Sequence, residues 1–166
     1  MRPLYRITTR RFGAHAEDAF SGDGARLYPG RWNSGGTAVV YTAETLSLAM
    51  LEMLVHIDEA MLSRRYVYFI LEVPEAFVTP LSRSILPENW ASYPAPSSTR
   101  LLGDAWVAWG ETLALKVPST LNPVEHTFLI NPSHPWFSQC AISGPFSFFF
   151  DSRLKKSLAP AGAPEA

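Results

Sequence analysis

The sequence has a single cysteine, Cys140, among its 166 residues. A lone cysteine excludes an internal disulfide framework and a zinc cluster built from several thiolates, and it fits a reducing compartment. Long hydrophobic runs are also missing, since no stretch approaches the roughly 18 apolar residues that a membrane-spanning helix needs. The amino terminus lacks the apolar core of a secretion signal. We therefore expect a cytoplasmic protein without a membrane span.

Charge is scarce as well. Charged residues make up 17% of the chain, and the formal net charge is -1 at pH 7. Domains that bind nucleic acid usually carry a clustered basic face, so we expect no direct contact with DNA or RNA. His126 and His134 lie on either side of Pro132 and lack the one-turn spacing of a helical metal site, so we expect no metal.

Several common catalytic motifs are absent. The sequence contains neither the phosphate-binding loop of nucleotide hydrolases nor the dinucleotide fingerprint of Rossmann domains. No nucleophile elbow surrounds Ser119, which argues against a serine hydrolase. These absences remove the enzyme classes that short motifs reveal most easily.

The chain does have enough apolar residues for one domain with a real core, because 47% of its residues are hydrophobic and 13% are aromatic. Its 14 prolines favour mixed α and β structure with many turns. We predict one α+β domain over residues 1–156 and a flexible tail over residues 157–166. No internal repeat or linker divides the chain.

Hydrophobic periodicity indicates the elements of this domain. We predict strands at residues 4–7, 38–42, 66–73, 115–117, 128–130 and 146–150. We predict helices at residues 46–57, after a cap at Thr45, and 99–113, with turns over residues 87–96. The glycine-rich stretch over residues 22–36 is expected to be a loop. Helix 46–57 is apolar almost all round and is therefore expected to be buried.

Glu52 is an ionisable group in the middle of the most apolar predicted helix. A buried carboxylate costs several kcal/mol unless it is paired, so Glu52 either lies at the helix edge, pairs with an arginine, or faces a pocket. In a pocket it would stabilise a developing positive charge. Composition alone leaves these alternatives open.

Arg31 lies between glycines, and such an arginine either is a surface residue or forks onto a diphosphate or carboxylate. Tyr41 is predicted at a strand end, where active sites tend to collect their groups, although packing of its ring is the default. Ser119 follows a proline, and a serine in such a place usually caps a turn.

Taken together, these residues stand in an order that resembles the RES family, named for an arginine, a glutamate and a serine. The resemblance spans nearly the whole chain. It is carried by LYR (4–6), GARLYPGRWN (24–33), VYTAE (40–44), LEMLVH (51–56), LGDAW (102–106), VPS (117–119) and LINPSHP (129–135). The named positions of the family fall on Arg31, Glu52 and Ser119, and its active-site tyrosine falls on Tyr41. One departure is Thr127, which stands where relatives often have asparagine, two residues after Glu125.

The resemblance implies a fold similar to the diphtheria-toxin kind of ADP-ribosyltransferase, with short strands around an NAD cleft and peripheral helices. It implies a toxin that degrades NAD by cleaving the nicotinamide–ribose bond, with NAD as substrate and no separate cofactor. The partner it implies is an antitoxin with an Xre-like helix-turn-helix domain, in a complex that contains a toxin homodimer. Arg31 would bind the diphosphate, Tyr41 and Trp32 the nicotinamide, and Ser119 would orient the ribose or Glu52.

Other functions use the same residues. A protein ADP-ribosyltransferase would share the whole pocket, and a catalytically silent module would only hold an antitoxin. The presence of all three named residues argues against the silent module. A glycan or lipid binder would suit the aromatic content, but Trp90, Trp106 and Trp109 lie in segments that are predicted to be core.

Overall fold

A sheet of seven strands forms the centre of the part of the chain described by our computed structural model, residues 1–58, 60–151 and 153–154. The strands are β1 (Arg2–Thr9), β2 (Val40–Ala43), β3 (Tyr66–Val73), β4 (Val78–Pro80), β5 (Ala114–Pro118), β6 (His126–Ile130) and β7 (Ala141–Phe148). Their spatial order is β4-β5-β6-β2-β1-β3-β7. Neighbouring strands are antiparallel except for the parallel pair β4 and β5.

The long pair β1 and β3 stabilises the middle of the sheet, because apolar residues face both sides of it. Leu4 pairs with Leu71, and Ile7 pairs with Tyr68. Leu4, Leu71 and Ile7 are buried. Strand β3 has the bounds predicted from its alternation, and it lies between β1 and β7 as an interior strand. Burial on both faces explains why its sequence is apolar at nearly every position.

Four α-helices surround this sheet in the described part of the chain, which gives a mixed α+β domain. They are α1 (Ala16–Ala19), α2 (Asp23–Leu27), α3 (Leu46–Leu54) and α4 (Ser97–Trp109). Short 3₁₀ helices occupy Met61–Ser63, Glu75–Phe77, Arg83–Ile85 and Pro135–Gln139. The sequence missed these 3₁₀ helices and strand β4, which are too short to show a period.

Helix α3 begins as predicted, since the Thr45 side chain accepts a hydrogen bond from the Leu48 amide. It ends at Leu54, short of the predicted residue 57. The expectation that its whole surface is buried was wrong: Leu51 and Val55 are 43% and 58% exposed. Its packing partners are β1 and β2, and Leu48 is fully buried on the side that faces them.

Other boundaries also differ from the sequence-based predictions. The last strand, predicted over residues 146–150, is β7 over Ala141–Phe148, so it begins five residues earlier and ends two residues earlier. The stretch predicted to be all loop contains α2, which spans Asp23–Leu27. Helix α4 ends at Trp109 rather than residue 113, because Gly110 takes the left-handed conformation with φ 69°. The 57% exposure of Trp109 also contradicts its expected place in the core.

Residues 157–166, predicted to be a flexible tail, lie outside the described residues, as do residues 155 and 156 of the predicted domain. Within the described residues, no helix combines the length and hydropathy that crossing a membrane requires.

The packing of α3 generates a stability prediction. Leu48→Ala should lower the free energy of unfolding by about 2–5 kcal/mol, because it leaves a cavity under the helix. Leu51→Ala, on the exposed side of the same helix, should change it by only about 0.5 kcal/mol. Urea denaturation of both variants measures the difference, and equal losses would contradict the described packing.

Candidate functional site

The Glu52 carboxylate is bound by hydroxyl groups from two neighbouring segments. Its Oε1 atom accepts hydrogen bonds from Ser119 Oγ at 3.0 Å and from Thr127 Oγ1 at 3.4 Å. Among the described residues, no lysine or arginine nitrogen lies within 4.0 Å of this carboxylate. Glu52 therefore does not pair with an arginine of the described residues. Such a pair was one of the alternatives left open by the sequence. Glu52 is half-buried and has no contacting lysine or arginine among the described residues.

Ser119 serves two purposes at once. Its buried Oγ accepts from the backbone amides of Leu121 at 3.0 Å and Asn122 at 3.3 Å, as in a capped turn. A hydroxyl has one proton to donate, and that proton is directed to Glu52. The turn thus fixes the orientation of the serine, and the serine fixes one oxygen of the carboxylate.

Thr127 occupies the position at which the sequence departs from the asparagine of its relatives. It lies on β6, is buried, and directs its Oγ1 toward the same Glu52 oxygen at the long distance of 3.4 Å. The shorter side chain therefore retains a polar contact with the carboxylate, although a weak one.

Arg31 is held by the segment that follows the Arg83–Ile85 helix. Its Nη1 atom donates to the carbonyl oxygens of Trp90 at 2.6 Å and Ser92 at 2.9 Å. Partial burial lowers the pKa of the Arg31 guanidinium, and the negative charges of Glu52 and Tyr41 would raise it. Arg31 is therefore an anchored cation within electrostatic range of Glu52 rather than a free surface side chain.

Tyr41 lies inside β2, not at its end as predicted, and its hydroxyl reaches the loop that carries Arg31. The hydroxyl donates to Asn33 Oδ1 at 2.8 Å and accepts from the Trp32 amide at 3.0 Å. Burial is the main cause that raises the pKa of Tyr41 above its usual value. The phenol is therefore a neutral donor at physiological pH.

Asn33 is a residue that the sequence analysis did not single out. It is fully buried, and its side chain bonds to Ala25, Thr37 and the amide of Gly30 as well as to Tyr41. The only feature of the sequence that could have pointed to Asn33 is its place two residues after Arg31, within the segment 24–33. It fixes the shape of the loop from within.

Trp32 lies in the core rather than on the surface of a cleft. Only 2% of its surface is exposed, and its ring stacks on that of Trp90 with a centroid distance of 6.3 Å. A buried ring offers no open face to a ligand, in contrast to the aromatic surface expected from the sequence. Its packing instead ties the Arg31 loop to the segment around Trp90.

Helix α4 supports the Arg31 loop from the other side. Thr99 Oγ1 donates to the Arg31 carbonyl at 2.7 Å, and Asp104 Oδ1 accepts from the Ser34 amide at 2.9 Å. Between them, Gly103 lets the loop approach so closely that an added Cβ would collide with the carbonyl oxygen of Trp32. The helix therefore sets the position of Arg31.

An open cleft of about 230 Å³ lies next to Ser119, with Trp90, Thr120 and Pro123 among the residues that line it. It does not include Arg31, Tyr41 or Glu52. Pockets that enclose small molecules are usually larger, about 300–1,000 Å³. The cleft thus gives access to the serine side of the site, while the arginine side is covered by the segment around Trp90.

The structure brings most of the predicted residues into one region. Ser119 and Glu52 are in direct contact, and Arg31 and Tyr41 share the loop around Asn33. The charges of Arg31 and Glu52 interact and so connect the two groups. The region therefore contains a fixed carboxylate, an anchored cation and a neutral phenol.

Comparisons with known proteins place nearly the whole chain among a set of relatives. The RES domain family model matches residues 3–151. "Toxin Res" of Yersinia enterocolitica is 43% identical over 153 residues, which are 92% of this chain and 99% of that protein. The "Prs ADP-ribosylating toxin" of a Sphingobium species is 36% identical over 135 residues, 80% of this chain and 83% of that protein. A chain in the crystal structure of the M. tuberculosis MbcT–MbcA toxin–antitoxin complex has the same fold, with a TM-score of 0.68 and 22% identity over 95% of this chain and 88% of that chain.

The close contact between Gly103 of α4 and the backbone of Trp32 predicts the sign of a stability change. Gly→Ala inside a helix normally stabilises by about 1 kcal/mol, but Gly103→Ala should destabilise by about 1–3 kcal/mol because the loop must shift. Gly35→Ala is the matched control, since nothing lies within 4 Å of a Cβ at that position. Chemical denaturation measures both, and a gain of stability in Gly103→Ala would refute the close contact.

Proposed function

The chain belongs to the RES domain family, and on that premise we propose that it is a toxin that consumes NAD by cleaving the bond between nicotinamide and ribose. The observation that carries the proposal is the Glu52 carboxylate, held by Ser119 and Thr127 and without a contacting cation among the described residues. Its negative charge acts on the Arg31 guanidinium, whose pKa it raises. The relatives named as toxins support the toxin assignment, and the name of one of them, an ADP-ribosylating toxin, supports a reaction that consumes NAD.

Cleavage of this bond passes through a ribose that resembles an oxocarbenium ion. A carboxylate fixed beside the ring stabilises that positive charge where it develops, and it does so without reorganising during the reaction. Glu52 is suited to this role because its charge is not neutralised by a salt bridge. Ser119 acts as a positioning residue that directs one oxygen of Glu52.

The remaining groups fit the other parts of NAD. Arg31 matches the diphosphate, since a guanidinium forks onto phosphate oxygens. The neutral phenol of Tyr41 offers a ring for the flat nicotinamide, and it also holds the Arg31 loop through Asn33 and Trp32. NAD is the substrate in this scheme, and we propose neither a separate cofactor nor a metal.

Substrate binding requires a change at the segment around Trp90. Its carbonyl groups occupy Arg31 Nη1, and the cleft of about 230 Å³ beside Ser119 is small for a dinucleotide. We expect this segment to move when the diphosphate takes the place of the carbonyl oxygens. The site then resembles the NAD cleft of diphtheria-toxin-like ADP-ribosyltransferases.

The acceptor of the ADP-ribosyl group distinguishes two versions of the proposal. Water or phosphate as acceptor makes the protein an NAD-degrading enzyme that lowers cellular NAD. A protein acceptor makes it a mono-ADP-ribosyltransferase, and the name of the Sphingobium relative favours this second version. Transfer of label from NAD to a protein separates the two.

A cytoplasmic enzyme that consumes NAD needs a partner that restrains it. We propose an antitoxin with an Xre-like helix-turn-helix domain, which would bind DNA in place of this chain, in a complex with a toxin homodimer. The exposed Leu51 on α3 and Val55, the residue directly after α3, support such a partner, because both leave apolar surface uncovered near Glu52 in the chain.

Replacement of Glu52 tests the reaction. Glu52→Gln keeps the size of the side chain but removes the charge, so cleavage should slow by about two to four orders of magnitude while the fold and NAD binding remain. Single-turnover nicotinamide release and thermal unfolding measure the two effects. Glu111→Gln removes an exposed carboxylate elsewhere and should cleave NAD as the wild type does. A folded Glu52→Gln protein with near-normal cleavage would refute the assignment.

Expression of the chain tests the toxin. In bacteria without an antitoxin, the wild-type chain should arrest growth and lower cellular NAD, whereas Glu52→Gln expressed to the same level should do neither. Growth curves and NAD extracts after induction give both measurements. Normal growth with unchanged cellular NAD, at a verified level of folded wild-type protein, would contradict the proposal. Modification of a protein without a fall in cellular NAD would contradict only the version in which the chain degrades NAD.

A further inference from the structure

We propose that Arg100 is a second substrate-binding cation, which together with Arg31 forms a two-arginine clamp for the diphosphate of a dinucleotide. The inference rests on the proposed function, because it concerns the same site. Neither the motif pattern nor the spacing of residues singled out Arg100. The structure does so through its position on the first turns of α4.

Arg100, Arg31 and Tyr41 converge on Gly30. The Nε atom of Arg100 donates to the Gly30 carbonyl at 3.2 Å, directly before Arg31 in the chain. On its other side, Gly30 approaches Tyr41, since a Cβ at Gly30 would lie 2.5 Å from the Tyr41 hydroxyl oxygen. The backbone at Gly30 therefore lies against both the Arg100 guanidinium and the Tyr41 hydroxyl, one residue before Arg31.

The electrostatics agree with this placement. Burial raises the pKa of Tyr41, and the positive charges of Arg100 and Arg31 both act in the opposite direction. Two cations thus lie within electrostatic range of the same phenol. Asp104, an acidic group that also acts on Tyr41, is engaged by the Ser34 amide.

Both arginines keep donors that no protein group uses. A guanidinium has five N–H donors; Arg100 engages only Nε, and Arg31 only Nη1, with partners among the described residues. Neither has a carboxylate within 4.0 Å in the described part of the chain. Partly buried cations without a counter-ion are costly, and an anionic ligand removes that cost.

The ligand chemistry follows from the number of cations. In the proposed clamp each guanidinium engages one of the two phosphoryl groups of a diphosphate, so a ligand with a single phosphoryl group leaves one of the two arginines unused. Arg100 should therefore matter for ligands with a diphosphate and matter little for those with one phosphate. It is a binding residue in this scheme and takes no part in bond cleavage.

Binding of two product-like probes tests the clamp without turnover. Calorimetric titration of Arg100→Ala with ADP-ribose should show about 10- to 150-fold weaker binding than the wild type, the equivalent of a lost charged hydrogen bond. Binding of AMP should change by less than about threefold, within the spread of neutral substitutions. Arg11→Ala, which removes an exposed arginine outside the site, should bind both probes as the wild type does.

Arg100→Gln is the second variant, because it retains a donor toward the Gly30 carbonyl if the alanine variant fails to fold. It should show the same selective loss of ADP-ribose binding. Equal weakening for ADP-ribose and AMP, or no weakening in folded variants, overturns the clamp. In that case Arg31→Ala still impairs NAD use if the proposed function is correct. Failure of the wild type both to bind ADP-ribose and to cleave NAD overturns the clamp and the proposed function together.

Discussion

The hydrogen bond from Ser119 to Glu52 joins the segment after β5 to helix α3, and the site depends on it. A carboxylate in an apolar helix is stable only when other groups compensate its desolvation. Here hydroxyls provide that compensation rather than a cation, so the negative charge remains available to a ligand. The sheet makes this possible, since β6 carries Thr127 beside β5, which leads into Ser119.

The part of the site that contains Arg31 is held in place in a different way. Its loop is anchored by the buried ring of Trp32, and the rest of its shape comes from polar bonds within it and from α4 behind it. Asn33 and Tyr41 fix the loop on one side, while Thr99, Asp104 and the absent side chain of Gly103 fix it on the other. Rigid support on both sides holds Arg31 in place, and the carbonyl groups of Trp90 and Ser92 cover it.

Sequence reasoning succeeded where the pattern is local. The alternation of β3 and the cap at Thr45 were correctly predicted, and the position of Glu52 in an apolar helix singled it out. It failed where the answer depends on distant partners. The buried Trp32, the exposed side of α3 and the approach of Gly103 are set by what packs against them, which no local period reveals. Arg100 was missed for the same reason, since its neighbour Gly30 lies far away in the chain.

The central claim is that the geometry around Glu52 serves to cleave NAD, and product analysis of the purified wild-type chain tests it most directly. NAD labelled in both the nicotinamide and the adenosine part should be incubated with the protein alone, with phosphate, and with cell extract, followed by separation of the products. The account predicts free nicotinamide in step with an ADP-ribosyl product. NAD that stays intact under all three conditions, in the presence of folded protein, would contradict it.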